Sequence, residues 1–399
     1  MARAAKRTNG SLTAWPKQLR RRPMIRAHKI RLYPNNTQAT YFAKACGVAR
    51  FAYNWALARS RELYEQDSDH KFNEAALRRE LNAKKKERYP WMLEVTKCAP
   101  QLAIKDDLSS AFRNFFEKRA GFPRFHKKGI RDSFSLSNDQ FKIRGSQVQI
   151  PKLGCVRLAE QLRFEGKILS ATVRRAADNW YISVQVEIAK PEPIHRQISE
   201  NQAIGVDVGV TSLAVLSDGR VVTGSKPSRK YEDQLRRAQQ SLSRKKGSRK
   251  GEKKSSNYRK QQIKVSRIHE KIANSRNEGL HKLTSMLTRN YSLIGIEDLN
   301  VKGMVKNHNL SKSIHDQSWG EFSRQLTYKA DATGSHVHYS DRFYPSSQLC
   351  SKCGCQNAGT KDLSIREWVC PECGAIHDRD LNAAENLRKD AIKAVFGVA

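Results

Sequence analysis

Long apolar runs are missing from this chain. No stretch approaches the roughly 20 residues of a spanning helix, and the mean hydropathy is -0.71, so no membrane partner is expected. Acidic residues are also scarce: 39 Asp plus Glu stand against 74 Lys plus Arg in 399 residues, a formal net charge of +35. Such an excess repels itself in the free protein and calls for a polyanionic partner. The first 23 residues include Arg20 to Arg22 but lack the apolar core of a secretory signal. They read as a disordered basic tail, with Met24 an alternative start. Of the eight cysteines, Cys46, Cys98 and Cys155 are scattered among apolar neighbours and read as buried thiols of a reducing cytoplasm. Internal repeats are absent, and low complexity is confined to a Lys/Arg/Ser patch.

What is there divides in the middle. Residues 24 to 33 alternate as a strand, and Pro34-Asn35-Asn36 punctuates them. Asn36 or Thr37 would cap a helix whose apolar positions recur every three or four residues from Tyr41 to Leu63. A second helix follows Asn73. A third follows Pro100, with Ile104, Leu108, Phe112 and Phe115 on one stripe and Gly121 as terminator. Residues 35–121 therefore read as a helical unit. Short strands come next, the clearest being Trp180 to Ile188, which keeps strict period two after an Asp178-Asn179 turn. Residues 24–34 and 122–195 are expected to form a small β-barrel into which the helical unit is inserted. Beyond a linker at Pro191 to Asn201, strands near 203–208, 213–216, 221–223, 294 and 336–339 and a helix from about 380 predict an α/β domain over 196–399. Its very basic stretch, 226–267, would hold two helices joined through Lys245 to Gly251. The length suits two or three domains, and the fold class is multidomain α+β.

Two sets of residues carry chemistry. Cys350-Ser-Lys-Cys353 and Cys370-Pro-Glu-Cys373 are separated by 16 residues, the spacing of a zinc ribbon over 345–378. Gly354 and Gly374 follow the pairs and permit the tight turns that aim amides at sulfur. Four Cys ligands leave no open position, so one structural Zn²⁺ is expected, with Cys355 a spectator. The second set is three acids in the order strand, strand, helix: Asp207 after Ile204-Gly-Val, Glu297 after Ile294-Gly-Ile, and Asp380 in Asp378-Arg-Asp-Leu-Asn-Ala-Ala. Each has a plainer reading. Asp207 could form a strand-end turn, Asp378 or Asp380 could cap a helix, and Asp298 could cap or pair with an arginine. Glu297 is hardest to explain away, because an unpaired carboxylate in an apolar strand costs several kcal/mol. Together the three fit a carboxylate cluster that holds two divalent cations for phosphodiester hydrolysis.

These segments resemble the TnpB family, proteins of bacterial insertion sequences related to the type V CRISPR effectors. The likeness rests on Gly205-Val-Asp-Val-Gly, Gly295-Ile-Glu-Asp-Leu, the paired C-x-x-C-G and Asp378-Arg-Asp-Leu-Asn-Ala-Ala. It extends upstream through Lys29-Ile-Arg-Leu-Tyr-Pro, Ala49-Arg-Phe-Ala-Tyr-Asn and Phe122-Pro-Arg-Phe-His-Lys-Lys. It implies an RNase H-like (RuvC) fold for the α/β domain and an RNA-guided DNA endonuclease that cuts target double-stranded DNA beside a short adjacent motif. It further implies a guide RNA derived from the transposon end, two catalytic Mg²⁺ on Asp207, Glu297 and Asp380, with Asp378 as fallback, and a bacterial cytoplasmic location, on the nucleoid when DNA is bound. Residues 24–195 would clamp RNA and read the adjacent motif. Arg50, Tyr53, Asn54, Lys127 and Lys128 are candidate contacts there, although each could equally be a core or solvated residue. Lys245, Lys246, Arg249 and Lys250 are candidates for phosphate neutralisation or a solvated run. Two rival readings are a guide-independent nuclease or transposition accessory of the same fold, and a non-catalytic nucleic-acid-binding protein. The long amino-terminal region counts against the first, and the three acids count against the second.

Overall fold

The computed structural model describes residues 24–130, 132–189, 196–245, 255–362 and 364–397. The basic tail, Lys246, Arg249, Lys250 and part of the expected linker lie outside them. Strand β1 (Met24–Tyr33) leads into α1 (Asn36–Gln66). Asn35, one residue earlier than expected, is the cap: its side chain accepts from the Gln38 amide at 2.8 Å while the Gln38 side chain accepts from the Asn35 amide at 3.0 Å, a capping box. Asn73 caps α2 (Glu74–Arg88). The third helical segment starts before Pro100, as α3 (Cys98–Leu102), because a proline in a first turn sacrifices no intrahelical donor. It passes through a π-helical turn at Ala103–Leu108 into α4 (Ser109–Phe116). The helix ends five residues short of Gly121, and Lys118 takes the left-handed conformation (φ 56°).

The strands β2 (Ser133–Ser137), β3 (Lys142–Arg144), β4 (Gln147–Ile150), β5 (Gly154–Leu158), β6 (Lys167–Ala176) and β7 (Asn179–Ile188) join β1 in one sheet ordered β2-β6-β7-β1-β5-β4-β3. Among the described residues, β2 and β3 are its two edges, so the ladder stays open where closure into a barrel was expected. Helices occupy the face that a barrel would enclose: Phe42 of α1 lies 5.1 Å from Trp180 and 6.0 Å from Phe134, ring centre to ring centre. Helices and strands share one continuous apolar core from Ile30 to Val186.

The second sheet contains β8 (Ala203–Asp207), β9 (Ala214–Leu216), β10 (Val221–Val222), β11 (Leu293–Glu297) and β12 (His336–Ser340), ordered β10-β9-β8-β11-β12. β8, β11 and β12 are mutually parallel, while β9 runs against β8 and β10. Between β10 and β11 come α5 (Pro227–Lys230), α6 (Glu232–Arg244) and α7 (Ser256–Asn290). Next are α8 (Val301–Met304), α9 (His308–Gln317) and α10 (Trp319–Thr333), then the cysteine region with β13 (Glu367–Val369) and β14 (Ile376–Asp378), and finally α11 (Arg379–Phe396).

The period-two alternation of a strand divides the sheet faces. Ile204, Val206, Ile294 and Ile296 pack with Leu283 and Leu287 of α7 and Phe322 and Leu326 of α10. Gly205 and Gly295 face α11, where a side chain would not fit. A Cβ on Gly205 would stand 1.8 Å from the Ala384 carbonyl oxygen, and one on Gly295 would stand 2.3 Å from that of Leu387. These two glycines are direct register partners, so together they form a shallow seat for the helix.

This seat predicts opposite outcomes for two glycine substitutions. Gly205→Ala should destabilise by about 1–3 kcal/mol, because backbone rather than a flexible side chain blocks the new atom. Gly279→Ala, within α7 and facing open space, should stabilise by up to about 1 kcal/mol through helix propensity. Denaturant unfolding of both variants checks the pair.

Candidate active site and zinc-type cluster

Two apolar strands each end on an acid. In β8 and β11 four buried residues precede a half-buried carboxylate, Asp207 or Glu297. Ile296 pairs with Val206, so the acids follow side by side on strands about 4.8 Å apart. The third acid arrives through the glycine seat. Going back from Ala384 to Asp380 is one turn of α11, about 6 Å. Going forward from Gly205 to Asp207 is two strand residues, about 6.6 Å. Because α11 runs against β8, these two steps bring the helix start over the strand ends.

The electrostatics record the convergence. Burial pushes the Asp207 carboxyl well above the usual range, and negative charge on Glu297 and Asp380 pushes it further; the Arg379 guanidinium offsets part of this. Ser346 donates its hydroxyl to Glu297. Arg366 lies 3.4 Å from both Asp380 oxygens. Asp378 plays a different part and caps α11, accepting from the Leu381 amide at 2.8 Å. Asp298 pairs with Arg342 at 2.6 Å. Hard carboxylate oxygens from three elements, whose like charges raise one another's cost, suit a divalent cation such as Mg²⁺, which removes that repulsion.

Beside these acids, the sulfur atoms of Cys350, Cys353, Cys370 and Cys373 lie within 4.8 Å of one another. The Cys350–Cys373 and Cys353–Cys370 separations are 3.6 and 3.5 Å, close to the roughly 3.8 Å edge of a tetrahedron with 2.3 Å zinc–sulfur bonds. Gly354 and Gly374 take φ of 79° and 67° and donate their amides to the Cys350 and Cys370 carbonyls, two matching knuckles. Backbone amides of Cys373 and Glu372 favour the Cys370 thiolate. At Cys353 the Cys355 amide is outweighed by desolvation and the neighbouring Cys373, Cys370 and Cys350 sulfurs, which push its thiol up to about 12. The four sulfurs thus share protons until a cation replaces them. Cys355 stays outside the quartet; its carbonyl accepts from the Cys350 amide and its amide donates to the Cys353 sulfur.

Some functional residues were not foreseen. Buried Asn382 and Asn386, on α11, hold the first knuckle through the Leu349 carbonyl (2.7 Å from each), the Ser346 carbonyl and the Ser351 amide. His377 brings Nε2 to 3.0 Å from Cys350 sulfur. The available signal was two asparagines four apart on an otherwise apolar helix face.

The candidate nucleic-acid residues fall into three groups. Arg50 pairs with Asp132 at 3.3 Å. The Tyr53 ring stacks on His126 at 3.8 Å, and Asn54 exchanges two hydrogen bonds with the His126 backbone. Tyr53 and Asn54 dock the segment around His126 onto α1, and Arg50 ties α1 to Asp132 just before β2. Lys127 and Lys128 are exposed. Lys245 is exposed beyond α6, its ammonium 2.8 Å from Ser241.

Asp207 makes stability depend on pH. Below about pH 4, the ordinary carboxylate value, Asp207 is protonated whether folded or not. As pH rises through its raised folded value, the folded chain must ionise it beside two acids, so the metal-free protein loses stability. Asp207→Asn should therefore unfold at a higher temperature than the parent, by a margin that grows from pH 4 to pH 8 and shrinks when Mg²⁺ is added to the parent. The cysteine cluster should bind one zinc per chain by elemental analysis. Cys370→Ser should release it and alter the fluorescence of Trp368, buried in the same small core.

Comparison with known proteins gives the family. Residues 183–308 match the OrfB_IS605 family, described as a probable transposase. Residues 319–387 match a Cas12f1-like TNB domain, and residues 24–69 match a helix-turn-helix domain. A Streptomyces pristinaespiralis protein named for RNA-guided DNA endonuclease activity is 36% identical, covering 91% of this chain and 88% of its own. InsQ of Escherichia coli K12, named likewise, is 34% identical over 91% of each chain. A solved Cas12f1 complex with guide RNA and target DNA has the same fold, with a TM-score of 0.53 at 14% identity over 89% of this chain and 83% of that one. The motifs, the site and these relatives lead to one conclusion: the chain belongs to the TnpB family of RNA-guided DNA endonucleases.

Proposed function

We propose that this protein is an RNA-guided endodeoxyribonuclease that cleaves target double-stranded DNA beside a short adjacent motif. What supports the reading is that two parallel strands end on Asp207 and Glu297 and a helix begins at Asp380, close enough for the charges of Glu297 and Asp380 to act on Asp207. The sheet order, with one antiparallel strand beside three parallel ones, supports a RuvC-like assignment for residues 196–399. The charge of +35 supports two polyanionic partners, a guide RNA derived from the transposon end and the DNA.

The three carboxylates would hold two Mg²⁺. When bound, the ions supply Lewis acidity toward the scissile phosphate and a more acidic water. The chain's own residues do the positioning. Ser346 orients Glu297, Asp378 fixes the first turn of α11 and hence Asp380, and Arg366 places positive charge against Asp380. The zinc-type cluster is structural in this scheme, since it tethers Ser346 through Asn386. The exposed Lys127, Lys128 and Lys245 are proposed phosphate contacts, and Lys246, Arg249 and Lys250 extend the same basic run. Among the described residues no helix is long and apolar enough to cross a membrane, in keeping with action on DNA in the bacterial cytoplasm and nucleoid.

Sequencing the RNA that co-purifies should return one species with a constant structured part and a variable guide. That complex should cut a matching plasmid only when Mg²⁺ is present. Asp207→Asn and Asp380→Asn should each lower cutting at least 100-fold and keep the RNA, whereas Asp378→Asn, which can still cap, should cut within a few-fold of the parent. Guide-independent cutting, or random cellular RNA in the preparation, would favour a nuclease of this fold that needs no guide.

A further inference from the structure

The loop that follows β12 holds an aromatic ring in solvent three residues before the serine that contacts Glu297. Phe343 is 87% exposed, yet its backbone is firmly held. Its amide donates to the Asp341 side chain at 2.8 Å, and the Tyr344 amide closes a turn on the Asp341 carbonyl at 2.9 Å. Tyr344 is itself half-buried and reaches the Asn386 carbonyl at 3.4 Å. Three residues beyond Phe343, Ser346 donates to Glu297. Thus an unpartnered ring is mounted on the same short loop that orients a metal-binding carboxylate.

Arg342, the preceding residue, borders a cavity of about 440 Å³ whose wall also includes Glu297, Asn300, Trp319 and Tyr339. That volume suits one small ligand rather than a duplex. The Arg342 guanidinium is paired with Asp298, and both side chains are about half exposed. An ion pair so open to water is worth about 0–1 kcal/mol, so a phosphate can replace Asp298 at little cost. An arginine followed in sequence by an exposed aromatic residue matches the two chemical parts of a nucleotide. A base offers its π-face only when it is unstacked, which excludes intact duplex at this position.

We propose that Arg342, Phe343 and the cavity beside Glu297 form a subsite for one unpaired nucleotide of the DNA strand being cut. Phe343 stacks on the base and Arg342 takes a flanking phosphate, which holds the strand in line with the three carboxylates. The subsite rests on the endonuclease reading above. Both residues position substrate and neither binds metal.

The test uses the full chain with its co-purified RNA and the cleavage-deficient Asp207→Asn background. Target DNAs carry 2-aminopurine at successive positions around the cut. Stacking on Phe343 should quench one position, Phe343→Ala should abolish that quench, and Phe343→Trp should retain it. In the cleaving protein, Phe343→Ala should slow cutting about ten-fold at saturating DNA, the scale of one base stacked on an aromatic ring, with Phe343→Trp restoring it. Arg342→Ala should weaken apparent DNA affinity and flatten its salt dependence. Unaltered quenching and cutting in Phe343→Ala would overturn the subsite while the endonuclease reading stands. Failure of the parent complex to open matching DNA at all would overturn both.

Discussion

The active-site geometry depends on how closely one helix can approach one sheet. Backbone atoms of α11 lie where side chains on Gly205 and Gly295 would have to be, so the helix sits directly on the strands. Lowering the helix onto the sheet brings the Asp380 end over the ends of β8 and β11. A larger residue in the seat would lift the helix and separate the third carboxylate from the other two. Glycine within a strand ordinarily weakens it; here that local loss permits the approach on which the carboxylate cluster depends.

Around this seat, supports converge on the acids from the cysteine-rich region. The quartet holds two knuckles, the first knuckle is gripped by Asn382 and Asn386 of α11, and the chain leading into that knuckle carries Ser346 to Glu297. Arg366, just before β13, reaches Asp380 from the other side. A structural cluster far along the chain from Asp207 thereby helps orient two of the three carboxylates. Like charges crowded at one point oppose folding in the absence of a cation, and fixed supports of this kind keep the side chains together despite it.

The amino-terminal sheet and helices share one core and are joined to α7 by polar contacts. Tyr181 donates to Glu270 at 2.8 Å, and the Arg267 guanidinium grips Asp178 at the β6–β7 turn. Burial and the neighbouring Glu270 carboxylate raise the Tyr181 hydroxyl to about 12, so it remains a donor throughout the physiological range. Several basic and aromatic side chains that looked available to a ligand have internal partners: Arg50 neutralises Asp132, and Tyr53 and Asn54 secure the segment around His126.

Period-two apolar runs ending on acids, the paired C-x-x-C-G knuckles and the net charge were all readable from the sequence, because each is a local pattern with a local physical cause. They singled out Asp207, Glu297 and the four cysteines as candidates and pointed to a polyanion. Which of Asp378 and Asp380 caps the helix needed the helix itself, and the folded start of α11 shows Asp378 doing so. The glycine seat, the grip of Asn382 and Asn386, and the pairings of Ser346 and Arg366 join residues tens to hundreds of positions apart. Such contacts follow from which surfaces pack together, and no window of sequence contains both partners.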